Sequence, residues 1–345
     1  VDRLEWDEAR IRAFSVLSRA LRGMSEHERA REASEQAQAL VRDLLDDEGA
    51  GIVHRKLAID IALRTASTRF FGGDQEGALT LARDARSDAQ QLRGSRPDDL
   101  TVEIMVLRAT HLVAWMLRYS GKFEAADALL TPALPDARKL VAQRPDNYQW
   151  RALLMNMLFL LGDARAGQKQ QTWKAADVFK ECFELAESLQ AHDPSHAGWT
   201  MMLVNLCDRR VSALGPDPAA TPEARLALRK RAAEYARALS DLEPGNVRWR
   251  YLLAFTLGTL AQLTPDAAAR VALARESRGH NRYALERLPG PVDINDFYLQ
   301  MSVFLVSSEP QPGARIAVAQ ETFDTLEAVA RKHPEAYYPH AYLVR

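Results

Sequence analysis

The sequence predicts an all-α chain in which one pair of antiparallel helices is repeated and stacked. A short phrase recurs three times, each time with a Pro five residues before a Trp. The three copies are Pro145 with Trp150, Pro194 with Trp199, and Pro244 with Trp249. The prolines are 49 and 50 residues apart, and a fixed period of this size is the signature of a solenoid. No segment shows the alternation of apolar and polar residues that marks a β-strand.

The Pro positions also predict the domain organisation, because further prolines continue the spacing in both directions. We predict an N-terminal helical hairpin over residues 1–50, which caps the array or joins it to an upstream region. We predict the repeat array over residues 51–345. Its junctions are expected near Pro97, Pro145, Pro194, Pro244, Pro291 and Pro334.

The N-terminal hairpin is predicted from two sets of apolar residues at helical spacing, since such spacing is typical of helices that bury one side. The set in the first helix is Trp6, Ile11, Phe14, Leu17 and Leu21. The set in the second helix is Ala37, Leu40, Val41, Leu44 and Leu45.

Each repeat is predicted to run as helix, tight turn, helix and loop. The helix before Pro194 carries an apolar stripe of Val178, Cys182, Leu185 and Leu189. The helix after each Pro is more apolar, as in residues 150–161. The Pro, with the Asp, Asn or Ser beside it, ends one helix and caps the next.

A second recurring segment gives a family resemblance. Residues 121–127 recur as residues 171–177, with an aromatic residue followed by small residues. Residues 119–126 resemble the turn into the second helix of the tetratricopeptide repeat, and Leu161 with Gly162 resembles the Leu-Gly pair of its first helix. That repeat is about 34 residues long, so both helices are expected to be longer here. The resemblance implies a right-handed superhelical solenoid of antiparallel helix pairs.

The lengthened repeat narrows the resemblance further. A Pro-x-Asn-x-x-Trp junction at Pro145 and Pro244 is similar to that of tandem repeats appended to bacterial signalling proteins, above all membrane-anchored Ser/Thr protein kinases. Because the chain begins at Val1, we interpret it as a piece of a longer protein. The resemblance implies a periplasmic location as part of a membrane-anchored protein; the alternative is a cytoplasmic regulator.

Composition excludes some classes of function. The net charge is -1 and the sequence pI is about 6.8, which argues against a dedicated nucleic-acid binder. We find no apolar run of the ~18 residues that span a bilayer, so no direct membrane insertion is expected. No phosphate-binding loop, metalloprotease motif, nucleophile elbow or kinase signature is present. We therefore predict a chain that is not an enzyme and has no cofactor.

The two cysteines have two interpretations. Cys182 and Cys207 lie 12 residues before and 13 residues after Pro194, so a hairpin that turns there brings them to the same level. They are either small apolar core residues or, in an oxidising compartment, a disulfide.

The groove lined by the first helices of the repeats is the default binding surface of such an array. In the tetratricopeptide register, the positions eleven, fourteen and eighteen residues after each Pro should point into it. Those residues are Arg108, Asn156, Asn205 and Phe255; His111, Phe159, Asp208 and Gly258; and Trp115, Asp163, Ser212 and Gln262. The alternative for each is a polar group at a helix end or a satisfied pair between repeats.

Three functions remain open from the sequence. The first is a non-catalytic domain that binds a protein or peptide in this groove, as the sensor or recruitment module of a bacterial signalling protein. The second is a domain that closes on a small molecule. The third is a structural array that associates with itself.

Overall fold

The computed structural model describes residues 3–24, 26–47, 49–168, 174–213, 221–288 and 292–334. These residues form α-helices and one 3₁₀ turn, and no strand occurs among them. The helices are α1 (Arg3–Gly23), α2 (His27–Leu45), α3 (Ile52–Phe71), α4 (Gln75–Ser95), α5 (Leu100–Tyr119), α6 (Phe123–Leu130), α7 (Leu134–Gln143), α8 (Tyr148–Gly167), α9 (Lys174–His192), α10 (Ala197–Ala213), α11 (Pro222–Leu242), α12 (Val247–Leu263), α13 (Ala267–Leu285), α14 (Val292–Ser308) and α15 (Pro312–Lys332). Pro291 and residues 171–173 of the second landmark lie outside the described residues.

The chain divides into two compact units, Val1–Val178 and Phe179–Arg345, with the boundary inside α9. In unit 1, α1 packs on α2, α2 on α3, α3 on α4 and α4 on α5. In unit 2, the same succession runs from α10 to α15. The predicted all-α solenoid of antiparallel helix pairs is confirmed. The predicted boundary near residue 50 falls between α2 and α3 inside unit 1 and stays a prediction.

The junctions at Pro97, Pro145, Pro194 and Pro244 share one turn. In each, the carbonyl before the Pro accepts a hydrogen bond of 2.9–3.2 Å from the N–H two residues after it. The ring fixes φ and disfavours helix in the preceding residue, and the backbone before Pro97 and before Pro145 has left the helix, with φ of -142° and -141°. The repeated Pro therefore marks the place where one helix ends and the next begins.

Short polar side chains start the next helix at three of these junctions. The side chain of Asp99 accepts from the N–H groups of Thr101 and Val102, and Asn147 accepts from Trp150 at 3.1 Å. Asn246 accepts from Arg248 and Trp249. These bonds satisfy N–H groups that have no partner within the helix.

The tight turn inside a pair uses glycine where the backbone is left-handed. Gly73, between α3 and α4, has φ of 96°, and Gly121, between α5 and α6, has φ of 72°. An L-residue with a Cβ is strained there. The two glycines are 48 residues apart, so the inner turn also follows the repeat.

The second helix of the pair that begins with α5 is broken, which the repeat pattern does not predict. A 3₁₀ turn over Thr131–Ala133 separates α6 from α7. Pro132 and Pro135 lie in the first turns of the two following segments, where a residue without an N–H is tolerated. In a continuous helix the same prolines remove backbone hydrogen bonds, so the break follows from them.

One helix corrects the expectation that no segment is long and apolar enough to cross a membrane. The 20 residues of α5, Leu100–Tyr119, have a mean hydropathy of 1.5 in their most apolar window. However, 56% of that window is buried inside unit 1, where α5 packs against α4, α6 and α8. The core helix of a soluble fold passes the same test.

The predicted apolar face of α1 is wrong in two of its five members. Ile11, Phe14 and Leu21 point inward and pack with α2 or α3. Trp6 and Leu17 lie on the outer side of the helix and are exposed. The helix is apolar on both sides, so its sequence does not tell which side is buried.

Cys182 and Cys207 are both buried in unit 2 as reduced thiols. Burial raises the pKa of the Cys207 thiol to about 11, so it stays protonated and unreactive at neutral pH. The structure thus agrees with the apolar-core interpretation of the two residues.

Candidate functional site

In unit 1 the first helices of successive pairs contact one another. Contacts run from α1 to α3, from α3 to α5 and from α5 to α8. We call the surface these four helices share the first-helix face of unit 1. Side chains from four separate stretches of sequence meet on it, so it is the natural place to look for a binding site.

Charged residues occupy the N-terminal half of this face. Arg108 of α5 pairs with Asp60 of α3 at 3.4 Å, and Asp60 also accepts from Arg64 at 2.6 Å. Lys56 bonds Asp99, the cap of α5, at 2.6 Å. Arg108, which the sequence places in the groove, is exposed and bridges two first helices.

His111 lies one helical turn beyond Arg108 and is partly buried. Burial and, after it, the neighbouring Arg108 lower the pKa of His111 from 6.5 to about 4. The imidazole is therefore neutral at physiological pH. It acts there as a hydrogen-bonding group rather than as a cation.

Replacing His111 by Gln should change the pH dependence of stability. Between pH 6.5 and about 4 the unfolded imidazole binds a proton that the folded one does not, so the stability of the wild type falls as pH falls through this window. His111→Gln removes this contribution. Urea unfolding of both proteins from pH about 7.5 to about 4.5 measures it. A difference in unfolding free energy that does not change with pH would contradict the assignment.

The C-terminal half of the same face carries an aromatic cluster of Phe70, Phe71, Trp115 and Tyr119. The Trp115 ring centroid lies 4.8 Å from that of Phe70, 5.5 Å from Phe71 and 4.6 Å from Tyr119. Phe70 is buried, but Phe71 is 50% and Tyr119 59% exposed. The cluster thus has a buried base and two rings open to solvent.

Two arginines flank the aromatic cluster. The Arg22 guanidinium of α1 lies 5.4 Å from the Phe71 ring centroid and donates to Ser67 at 2.7 Å. The Arg118 guanidinium lies 5.1 Å from the Tyr119 ring centroid. Burial, and then the positive charge of the neighbouring arginines of α1 and α3, lowers the pKa of Arg22. The cluster therefore lies in a locally positive field.

Asp163 of α8 fixes one of these arginines. Its carboxylate accepts from Arg118 at 2.6 Å, and the residue is only 5% exposed. Asp163 is thus a buried partner between two first helices and does not lie on the open surface. It positions the guanidinium beside Tyr119. Asn156 and Phe159, earlier on α8, are partly buried.

In unit 2 the predicted residues of α10 bond within their own helix pair. Asp208 pairs with Arg229 of α11, and Ser212 donates from its hydroxyl to the Asp208 carbonyl at 3.0 Å. Asn205 is partly buried. Asp208 is therefore a satisfied ion-pair partner inside one helix pair, which matches neither the predicted groove position nor the predicted alternative of a pair between repeats.

The helices α12 and α14 of unit 2 form a cleft of about 670 Å³. The cleft is lined by Gln262, Asp296, Leu299, Gln300, Val303, Phe304 and Ser307. Beside it Tyr251 bonds Asp293, and burial, followed by that carboxylate, raises the pKa of Tyr251 to about 12. Gln262 is the one predicted groove residue among those that line this cleft.

Two other predicted positions of α12 are part of the packing against α14. The Phe255 ring centroid lies 5.3 Å from that of Phe297. Gly258 is buried, and a Cβ there would lie 2.6 Å from Phe297 Cζ. Gly258 therefore permits close helix contact and does not line a groove.

Four of the predicted residues lie on or beneath the first-helix face of unit 1: Arg108, His111, Trp115 and Asp163. The structure adds four residues to this face that the sequence analysis missed. The missed residues are Arg22, Phe71, Arg118 and Tyr119. The repeat period contains a signal for two of them, since Phe71 and Tyr119 are 48 residues apart and both end a first helix. The three positions counted from each Pro did not include this last position of the helix.

No group of three or more His, Cys, Asp or Glu side chains that could hold a metal ion occurs among the described residues. Polar contacts on the first-helix face of unit 1 include ion pairs and hydrogen bonds between helices, and one ion pair within α3. The chemistry that this face offers is recognition by aromatic stacking and by guanidinium groups.

No family model matches the chain, and no curated protein matches it. Among solved structures, the chain is similar to the S. pombe nuclear import adaptor Nro1, with 12% sequence identity, 86% of this chain and 99% of that chain covered, and a TM-score of 0.53. The fold is a tetratricopeptide-like helical solenoid. A sequence identity of 12% supports a shared fold and no shared function.

Two further similarities have lower TM-scores. A thermophilic tetratricopeptide-repeat protein of Thermus thermophilus, TTC0263, shares 18% identity over 71% of this chain and 100% of its own, with a TM-score of 0.41. The TPR2AB domain of yeast Sti1, in complex with pHSP90, shares 14% identity over 85% of this chain and 98% of its own, with a TM-score of 0.29.

Proposed function

We propose that this chain is a non-catalytic module that binds a protein or peptide on the first-helix face of unit 1. The observation that carries the proposal is the aromatic cluster, in which Phe71 and Tyr119 are half exposed and each ring is tilted by 43–46° against that of Trp115. Exposed aromatic surface of this kind costs free energy in water and marks interaction sites.

The arginines complete the site. Arg22 and Arg118 lie over the two exposed rings, and Arg and aromatic residues are enriched among the residues that dominate binding energy. Asp163 holds Arg118 in place, so the guanidinium loses little freedom when a ligand arrives. We expect a ligand segment that places an apolar side chain between the rings.

Replacing Phe71 and Tyr119 together by Ala should weaken the binding of a peptide ligand at least ~30-fold, since loss of one dominant contact costs about 2 kcal/mol. Ligands come from a displayed random peptide library selected on the wild-type chain, and dissociation constants are measured by calorimetry. Phe323→Ala is the matched control, because Phe323 of α15 is 49% exposed and lies in unit 2.

Two results would overturn the proposal. One is that no peptide is enriched on the wild type over a helical-repeat protein with an unrelated surface. The other is that enriched peptides bind the double variant and the wild type with equal affinity. Circular dichroism of the variant checks that both proteins have the same helix content.

The lengthened repeat supports a narrower proposal, that the module is the sensor or recruitment region of a bacterial signalling protein, such as the ectodomain of a transmembrane Ser/Thr kinase. The junctions at Pro145 and Pro244 support it, because they resemble those of repeats appended to such kinases. The sequence of the parent gene tests it. A kinase domain and one hydrophobic span upstream of Val1 would support it, and a DNA-binding domain there would contradict it.

A second candidate function is the sensing of a small molecule, favoured by the cleft between α12 and α14. Its volume of about 670 Å³ lies within the usual range for small-molecule sites. Leu299, Val303 and Phe304 supply an apolar lining, and Asp296 a charge. A metabolite that raises the melting temperature of the wild type but not of a Val303→Glu variant would favour this function.

A further inference from the structure

The first helix of the chain has an apolar outer side with nothing packed against it in the described structure. The outer stripe runs along α1 at steps of three and four residues, which places its members on one side of a helix. The stripe is Trp6, Ala9, Ala13, Val16, Leu17 and Ala20, and the exposed Met24 lies just beyond the end of the helix. The stripe covers about 20 Å of the helix axis.

Large side chains on this stripe are well exposed. Trp6 is 60% and Val16 55% exposed, and Met24 beyond the helix end is 67% exposed. The opposite side of α1 is already buried, with Ile11 at 0% and Leu21 at 6%. A helix that is apolar on both sides is typical of a helix buried between two neighbours.

The stripe is a property of α1 and not of this whole end of unit 1. The neighbouring helix α2 is mostly polar on its exposed side, at Glu28, Glu32, Gln36 and Asp43, and its last residue, Leu45, is 38% exposed. The apolar residues of α1 are therefore not explained by a general apolar character of the N-terminal hairpin. They indicate a partner that covers one helix along its length.

We propose that the partner is a second copy of this chain, packed α1 against α1 in antiparallel orientation about a two-fold axis at Ala13. An isologous contact needs a surface that complements itself, and the order of large and small residues provides one. With Ala13 on the axis, Trp6 meets Ala20 of the second copy, Ala9 meets Leu17, and Ala13 meets Ala13. Val16 meets the aliphatic part of Arg10, whose guanidinium pairs with Asp7 of its own helix.

Small residues opposite large ones let two helices approach closely while the large side chains fill the space beside the small ones. A parallel pair in register places Trp6 against Trp6 and Leu17 against Leu17, with alanines opposite alanines. That arrangement leaves gaps at the alanines and crowds the large residues. The antiparallel register avoids both problems.

The charges beside the stripe favour the same orientation. Near its start α1 carries Glu5, Asp7 and Glu8 together with Arg3, Arg10 and Arg12, and Asp7 and Glu8 pair with these arginines. The antiparallel register brings the exposed Glu5 of one copy near the exposed Arg19 of the other, and it places the two Arg12 side chains near each other beside the axis. A parallel pair in register places like charges together at all three positions, so the antiparallel orientation has fewer repulsive contacts. Complementary charges of this kind fix orientation more than they add affinity.

Light scattering coupled to size-exclusion chromatography tests the association with the chain as it is. We expect the mass of two 38.6 kDa chains at concentrations on the order of 10 μM, because a contact between two helices is a small interface. Leu17→Glu should raise the dissociation constant at least ~100-fold, since it buries unpaired carboxylates at the contact.

The matched control is Ile316→Glu. Ile316 of α15 is 71% exposed, so the change adds the same charge to another exposed apolar position, in unit 2. We expect this variant to dimerise like the wild type. Thermal unfolding of both variants shows whether either change alters the fold.

Single cysteines report the register. Ala13→Cys should form a disulfide between two copies on mild oxidation, because the two Cα atoms on the axis come within bonding range. Trp6→Cys should not, because the two copies of residue 6 are about 20 Å apart in this register. A mixture of Trp6→Cys and Ala20→Cys chains should form a mixed disulfide.

Three results would overturn the inference. If the wild type is still monomeric at about 100 μM, ten times the concentration given above, a second copy of the chain is excluded as the partner. A dimer that survives Leu17→Glu places the contact elsewhere. Cross-linking of Trp6→Cys with itself, without cross-linking of Ala13→Cys, excludes the antiparallel register.

Discussion

Replacing Arg278 by Ala should destabilise unit 2 by about 3 kcal/mol, because breaking a buried charged network leaves its partners uncompensated. The side chain of Arg278 on α13 is only 8% exposed and bonds residues of two other helices. It donates to Tyr298 and Ser302 of α14, and to Glu321 and Thr322 of α15, at 2.7–3.0 Å. For a unit of this size the change corresponds to a fall in melting temperature of about 6–12 °C.

The loss has two parts. The hydroxyl of Tyr298 loses a guanidinium partner in the interior, where Tyr298 is 0% exposed, and the space left by the side chain opens a cavity. Hydrogen exchange should show faster exchange at the backbone amides of α13, α14 and α15. Hydrogen exchange therefore shows that the loss of stability arises in unit 2, even if the two units unfold in one transition.

The control is Arg331→Ala, which removes an exposed ion pair within α15. Arg331 and Glu327 are 2.6 Å apart, but both are well exposed, so the expected change is below about 1 kcal/mol. Equal effects of the two substitutions would mean that the buried network contributes no more than a surface pair.

Replacing Gly258 by Val should also destabilise unit 2, by about 2 kcal/mol, because added atoms in a packed core force neighbours apart. A Cβ at this position would lie 2.6 Å from Phe297 Cζ and 2.7 Å from Met301 Sδ, both on α14, and 3.0 Å from Ser277 Oγ on α13. The steric cost exceeds the gain in helix propensity over Gly, which is less than about 1 kcal/mol. Urea unfolding followed by circular dichroism measures the difference.

The matched control is Gly279→Ala in the neighbouring helix α13. A Cβ at Gly279 meets nothing within 4 Å, so only the propensity gain remains, and we expect a neutral or stabilising change of up to about 1 kcal/mol. Similar destabilisation of both variants would contradict the packing argument at Gly258.

The fold could be predicted from the sequence because its signals are local and repeated. Each Pro with its capping Asp or Asn acts within a few residues, as the turns and caps at Asp99, Asn147 and Asn246 show. Such a helix boundary depends on local backbone geometry and one side-chain hydrogen bond, so it can be predicted without knowing which distant residues pack nearby. Because the same pattern recurs in each repeat, every predicted boundary is supported by the equivalent boundaries in the other repeats.

The candidate site could be predicted only in part, because its members depend on packing between repeats. Counting along the helices found Trp115 and Asp163 but could not separate an open ring from a buried carboxylate. Asp163 faces Arg118 of another helix, and Gly258 faces Phe297, although both positions followed the expected spacing. Phe71 and Tyr119 were missed because the position that ends a first helix was not among the three positions counted from each Pro.

The sequence by itself determined that this chain is a helical solenoid. It also determined where one helix ends and the next begins at Pro97, Pro145, Pro194 and Pro244, which are 48 to 50 residues apart. Only the tertiary structure decided which apolar side of α1 is buried and which rings beside Trp115 reach solvent. The reason is that periodicity fixes which residues share a side of a helix, whereas burial depends on which neighbour packs against that side.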